Sequence, residues 1–171
     1  MAGCAAVPER PPLADPVSAW KARQVALVKI DVWGLRGRVA LRSGETGGQA
    51  SLQWKREGDT HRIEISGPIG GSRLRLTQDR SGAELHDAEG RTDRDVSLQR
   101  LLQRRTGWDL PFKDLNYWVR GLQALGPVER SEIDPWGRLT LVEQDGWEVR
   151  FSEYSQQGQF ELPSRIVARR L

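Results

Sequence analysis

The sequence predicts a mainly β protein, an antiparallel sheet that curls toward a barrel, with one helix before it and two helices at its mouth. Three observations predict this. Strand-like runs alternate polar and apolar residues, as in Arg62-Ile63-Glu64-Ile65 and Arg73-Leu74-Arg75-Leu76, so each strand has one apolar and one wet face. Helical spacing is confined to residues 15–30 and 95–122, and no β-α-β rhythm joins the strands. The resulting order is a helix, about five strands, two helices and about four strands, and a twisted sheet of that size curls. Two middle helices are too few to form a covering layer; they suit a lid over the concave side.

The elements follow in order. A helix is expected over Asp15 to Ile30, with Asp15 as its cap and Pro16 in its first turn. Trp20, either Ala26 or Leu27, and Ile30 form its apolar side. Trp33, Leu35, Val39 and Leu41 then share one face of a strand, with Arg36, Arg38 and Arg42 on the other. Gly37 falls in the apolar row and marks a bend or bulge. Gly44 to Gly48 reads as a turn. Ala50, Leu52 and Trp54 alternate with Ser51, Gln53 and Lys55; Glu57-Gly58-Asp59 turns the chain toward Ile63 and Ile65. Gly67-Pro68-Ile69-Gly70-Gly71 is turn chemistry between that strand and the next, which carries Leu74 and Leu76. A shorter strand near Leu85 ends at the Asp87 to Gly90 turn. Leu98, Leu101 and Leu102 mark a helix stopped by Gly107. Leu110-Pro111 starts another, with Phe112, Leu115, Trp118, Val119 and Leu122 on one side. Strands resume after Pro127: one holds Leu139 and Leu141, Asp145-Gly146 turns a hairpin, and Trp147, Val149 and Phe151 line the next. Arg165 to Leu171 is the last.

Length and composition bound the function. The chain has 171 residues, 37% of them hydrophobic, and a net charge of +3. That is enough for one domain, placed at residues 17–171, with a real core. No run nears the roughly 18 apolar residues of a membrane span. One cysteine excludes an internal disulfide, and with two histidines, His61 and His86, it gives no zinc spacing. Phosphate loops, dinucleotide fingerprints and nucleophile elbows are absent. Both histidines read as solvated, and no carboxylate stands in an apolar run that would raise its pKa. The expectation is a non-enzyme with no cofactor and no metal. Seven tryptophans on a basic chain raise the question of single-stranded nucleic acid. Trp33, Trp54 and Trp147 lie on the faces opposite the arginines, whereas a nucleic-acid platform needs both on one exposed face. The pattern points to an aromatic-lined interior and no nucleic-acid partner.

Two short segments stand apart. Ile69 sits at a hairpin tip, where a branched aliphatic gains nothing for a core. It gains by entering a bilayer or a partner's groove. Met1-Ala2-Gly3-Cys4 ends like the cleavage box of a bacterial lipoprotein, although no charged and apolar leader precedes it. Residues 1–16 then read as a lipidation site at Cys4 and a proline-rich tether.

At this point several stretches, in order, resemble the LolB family of outer-membrane lipoprotein receptors. They are Trp33-Gly34-Leu35-Arg36-Gly37-Arg38-Val39, Gly67-Pro68-Ile69-Gly70, Gly107 with Leu110-Pro111 and Leu115, and Tyr117-Trp118-Val119 with Gly121-Leu122. Gly146-Trp147, Tyr154 and Leu162-Pro163 complete the set, so the likeness covers residues 18 to 168. The resemblance implies an unclosed antiparallel barrel with a helical lid, about residues 95–122, over an apolar cavity. It implies a monomer that is lipid-anchored in the outer membrane through Cys4 and faces the periplasm. Its partners would be acylated lipoproteins, the periplasmic carrier LolA and the inner leaflet of that membrane. Ile69, flanked by Pro68 and Gly70, matches the family's protruding leucine that is needed for membrane insertion. One more strand is expected after Leu171. The apolar faces supply the candidate acyl-chain cavity: Val39, Leu41, Leu52, Trp54, Ile63 and Ile65, then Leu74 and Leu76, with Trp118, Trp147 and Val149. A general periplasmic carrier or sensor of acyl chains on the same fold is the alternative; it needs neither an anchor nor an inserting tip.

Overall fold

A computed structural model describes residues 10–67 and 73–171. Cys4, Pro68, Ile69 and Gly70 lie outside the described residues. The chain divides into two compact units: Lys29–Phe112, and the residues up to Val28 together with Lys113–Leu171. It is mainly β, all strand pairs are antiparallel, and the sheets are open, as the expected unclosed class requires.

The first unit is a six-stranded meander in sequence order: β1 (Val32–Ser43), β2 (Thr46–Glu57), β3 (Thr60–Ser66), β4 (Arg73–Asp79), β5 (Gly82–Asp87) and β6 (Thr92–Asp95). Each neighbour is reached by a short connection, which favours antiparallel pairing. The alternation works as expected. Ile63, Ile65, Leu74, Leu76, Ala83 and Leu85 are buried on one face, while Arg36, Arg38 and Arg42 are exposed on the other. Three expectations need correction. Gly37 makes no bulge: the β1–β2 register runs unbroken and pairs it with Leu52. The turn after β1 is only Gly44-Glu45, because Gly47 and Gly48 continue the ladder opposite Arg42 and Leu41. A Cβ on Gly47 would stand 2.9 Å from the Leu41 carbonyl oxygen, so a side chain there would collide with the partner strand. And the first sheet has a sixth strand, β6, beyond the Asp87 to Gly90 turn, although Thr92-Asp93-Arg94-Asp95 has no apolar alternation.

The helix Leu98–Thr106 lies against β4, β5 and β6. It begins at Ser97, whose hydroxyl accepts from the Arg100 N–H, and ends at Gly107 in the left-handed region, φ 76°. Leu98, Leu101 and Leu102 bury its inner side. Its arginines are held by acids of the sheet: Arg100 and Arg104 reach Asp95 at 3.3 and 2.7 Å, and Arg105 bonds Asp87.

The other unit holds a four-stranded sheet in the order β10-β9-β8-β7: β7 (Arg130–Ile133), β8 (Leu139–Gln144), β9 (Trp147–Gln157) and β10 (Phe160–Arg170). Asp145 and Gly146 both have positive φ, 51° and 74°, as a two-residue hairpin turn of the mirror-image type demands. Pro163 is tolerated because β10 is an edge strand. The N-terminal helix (Pro16–Val28) belongs here. Asp15 caps it through the Ser18 N–H at 3.0 Å, and Trp20 and Leu27 are buried while Ile30 lies beyond its end. The buried Arg120 guanidinium donates to the Leu27 carbonyl at 2.9 Å, satisfying one of the acceptors a helix end leaves open. The helix expected from Leu110 to Leu122 is shorter, Phe112–Trp118. Gly121, φ 70°, turns the chain out of it, and a Cβ there would meet Pro163 and the Tyr154 hydroxyl at 3.0 and 3.1 Å.

Candidate functional site

The candidate cavity residues separate by burial into two groups. In the first unit, Trp54, Ile63, Leu74 and Leu76 are at most 3% exposed, and Ile65 is buried with them. They form the packed floor of the β2–β4 face. Val39, Leu41 and Leu52 are only half-buried, as is Leu35. These lie on β1 and β2, where the edge of the sheet has fewer neighbours. Leu52 faces Gly37 across the ladder, and a Cβ on Gly37 would have no atom within 4 Å. The absent side chain leaves open space in the apolar row beside Leu52.

An aromatic cluster adjoins this row. Trp33 and Trp54 pack at 5.1 Å between ring centroids, and Phe112 meets Trp54 edge-on at 5.9 Å. The Trp54 indole N–H donates to His61 Nδ1 at 3.1 Å. His61 is therefore engaged with a core indole and not simply solvated. His86, half-buried, contacts Glu84 at 3.1 Å and Thr92 at 2.9 Å. The cluster members Trp33, Phe112 and His61 were not among the candidate residues. Trp33 was legible, since it opens the same apolar row as Val39 and Leu41.

In the other unit Val149 is fully buried and Trp147 is half-buried. Trp118 is fully buried and lies 6.2 Å from Trp147, centroid to centroid. The indole N–H groups of Trp118 and Trp33 and the Asn116 side-chain oxygen have no hydrogen-bond partner. A buried polar group in that state is uncommon and calls for an explanation.

One expectation about carboxylates is overturned. Asp114, in the first turn of the short helix, has its pKa raised, first by burial and then by the nearby Asp145 charge. Asp87 is buried as well, its side chain 3% exposed. Burial alone would raise it, but hydrogen bonds from Arg91 and the charges of Arg91 and Arg105 together hold it below the usual carboxylate range. Neither acid lies in the apolar row. Among the described residues, no group of three or more His, Cys, Asp or Glu side chains could hold a metal ion, and no helix is long and apolar enough to cross a membrane.

Pro68, Ile69 and Gly70 fall in the connection that links Ser66 to Arg73, which are themselves paired across β3 and β4. The strands that bracket the connection thus form the expected hairpin.

Comparison with known proteins gives a consistent result. The family model for outer membrane lipoprotein LolB matches residues 31–171. The outer-membrane lipoprotein LolB of Chromohalobacter salexigens is 35% identical over 167 residues, covering 98% of this chain and 78% of that protein. The protein of the same name from Nitrosococcus oceani is 35% identical over 167 residues, covering 97% and 83%. That of Stutzerimonas stutzeri is 35% identical over 169 residues, covering 97% and 82%. A match of this extent takes in both units and all the candidate residues of their apolar faces, and the chain belongs to the family of outer membrane lipoprotein LolB.

Proposed function

We propose that this outer-membrane lipoprotein receives acylated lipoproteins from the periplasmic carrier LolA, shelters their acyl chains on its apolar faces, and passes them into the inner leaflet of the outer membrane. The observation that carries the reading is the half-buried row of Val39, Leu41 and Leu52 beside the gap at Gly37, in a chain whose family is shown. A half-buried aliphatic row is costly unless something covers it, and an acyl chain is a fitting cover. Each methylene moved from water gains roughly 0.8 kcal/mol, so an acylated protein crosses an aqueous space only if its chains stay covered. The buried residues Trp54, Ile63, Ile65, Leu74 and Leu76 give the row a firm floor. Trp118, Trp147 and Val149 are further candidate acyl-chain contacts, and the segment 95–122 is the candidate lid.

No nucleotide site is called for, so transfer runs downhill. Each acceptor must hold the acyl chains better than the donor before it. Cys4 supplies the anchor through residues 1–16, and Ile69, between Pro68 and Gly70, supplies the apolar tip. Burying that side chain in lipid contributes on the order of 1.5–3 kcal/mol. This is small beside an acyl anchor, but enough to favour one orientation at the membrane. The chain acts as a monomer and performs no catalysis.

The test is a transfer assay. The purified chain is mixed with LolA carrying a labelled lipoprotein, and a pull-down shows where the label resides. Movement of the label to this chain is the expected outcome. If the label stays on LolA while the chain still binds a free fatty acyl probe, a general carrier of acyl chains is the better account. Binding of neither would mean that the apolar faces are closed cores.

A further inference from the structure

The face of the six-stranded sheet opposite the apolar rows is basic. On β1 it carries Arg36, Arg38 and Arg42, all exposed, and β2 adds Lys55. Neighbouring strands continue the sign with Arg62, Arg73, Arg75 and Arg94. The acids on this face are already engaged. Glu57 pairs with Arg62 at 2.7 Å, Glu64 with Arg73 and Arg75 at 2.8 and 3.4 Å, and Glu84 with Arg94 at 2.7 Å. Arg36, Arg38, Arg42 and Lys55 have no acidic partner among the described residues.

Two features decide what such a face would meet. Between the free cations stand only small or polar residues, among them Gly34, Ala40, Ser51 and Gln53. A stable protein interface takes its energy from a few buried aromatic or large apolar anchors; none stands among these cations, and the exposed Val32 lies at the far end of β1, opposite Glu57. Phosphate oxygens need no anchor; they need guanidinium forks at reachable positions. The second feature is placement. Arg38, Ser51, Ser66 and Arg73 form one row across four strands, and the 67–72 connection leaves the sheet at that row. Arg42 lies farther along β1, beside the Gly44-Glu45 turn, toward the same end. Arg38, Arg42 and Arg73 therefore flank the end of the sheet at which β3 ends and β4 begins, with Arg36 one row farther in.

We propose that this basic face docks on anionic phospholipid headgroups. It would hold the arginine-bearing face of β1 and its neighbours against a membrane surface. The proposal rests on the reading that the chain delivers its cargo to a membrane, and the test separates the two.

The experiment uses the full chain with Cys4→Ala, so that a lipid anchor does not mask weak binding. Partition is measured by co-sedimentation with vesicles of phosphatidylethanolamine containing a quarter phosphatidylglycerol, and with vesicles of phosphatidylcholine alone. Variant R36Q/R38Q/R42Q removes three free charges from the face. Variant R80Q/R130Q/R165Q removes the same charge from elsewhere: Arg80 in the β4–β5 turn, Arg130 on β7 and Arg165 on β10. A Lys or Arg close to an anionic surface adds roughly fivefold to binding. The first variant should therefore bind anionic vesicles about two orders of magnitude more weakly, and the second should bind nearly as the parent does. High salt, which shortens the screening length to a few Å, should abolish the parent's binding. Circular dichroism confirms that each variant is folded. Equal partition of the parent onto neutral and anionic vesicles would overturn the proposal, as would equal losses in the two variants. Uptake of lipoprotein from LolA, without vesicles, is measured alongside. If R36Q/R38Q/R42Q keeps its vesicle binding but loses uptake, the face serves an acidic protein and the proposal falls. If no form takes up lipoprotein, the receptor reading fails while the vesicle result still decides the docking surface.

Discussion

Tyr154 follows a residue with an unusual backbone. Glu153 adopts φ 54° within β9, and the inward row of that strand changes parity there. Val149 and Phe151 point inward, and Tyr154 follows them in place of Glu153. Its hydroxyl donates to the Leu139 carbonyl at 2.6 Å, and the Arg138 guanidinium stacks 4.7 Å from its ring centre. Burial, the largest influence, raises the phenol pKa well above its ordinary value of 10.0. A raised pKa means that the folded chain favours the neutral phenol. The stability Tyr154 contributes is therefore intact below pH 10 and is lost as pH rises further, because the unfolded chain then ionises while the folded one resists. Tyr154→Phe should cost about 1 kcal/mol at neutral pH and flatten the alkaline decline. Urea unfolding at pH 7 and above pH 10 checks this, and identical alkaline slopes in both proteins would sink it. Trp118 gives a second prediction at this scale. An added fatty acyl probe should quench or shift its emission, so the response of wild type should exceed that of Trp118→Phe. Equal responses would place Trp118 in a dry core.

Among the elements, β1 and β2 carry the most telling prediction. Gly37 has an ordinary strand φ and open space where a Cβ would stand. Gly37→Val should fold at least as well as wild type, gaining about 0.5–1 kcal/mol from the stiffer unfolded chain. It should also fill the row beside Leu52 and weaken acyl-probe binding several-fold. Undiminished binding, measured by fluorescence titration, would remove this row from the site. The same strands show how much of the fold was legible. Alternation along β1 to β5 and β9 named their inward residues correctly, because a half-buried strand must alternate. The Asp145-Gly146 turn and the Gly107 stop were also readable, since their residues suit positive φ. Elements without an apolar signal were not legible. β6 is polar throughout and is held by hydrogen bonding to β5 and by Asp95 facing two arginines. The candidate site was partly legible for the same reason. Apolar parity pointed to the inner faces, but it could not tell Ile63, fully packed, from Leu52, half-open. That difference depends on how many neighbours the third dimension provides.

For the whole molecule, the two ends of the proposed handover make separable predictions. Ile69→Glu should fold and accept lipoprotein in solution, yet fail to deliver it to liposomes, because a carboxylate resists entry into hydrocarbon. Delivery at the wild-type rate would remove Ile69 from the mechanism. Cys4→Ala should leave a soluble chain that still takes lipoprotein from LolA, since the acyl-binding faces lie far along the sequence from the tether. Loss of uptake by that variant would tie binding to the anchor.

The N-terminal helix carries one more consequence, concerning time. Its partners come late in the chain: the Leu13 N–H bonds the Pro135 carbonyl at 3.0 Å, and the Leu27 carbonyl accepts from Arg120. The six-stranded meander between them is built from adjacent hairpins, each of which can form once its own two strands exist. Contacts between neighbours in sequence form quickly, and distant ones slowly. A chain threaded N-terminus first through a membrane thus exposes Trp20 and Leu27 earliest and covers them last. During that interval the nascent protein presents the kind of greasy surface that, once folded, it exists to hide in others.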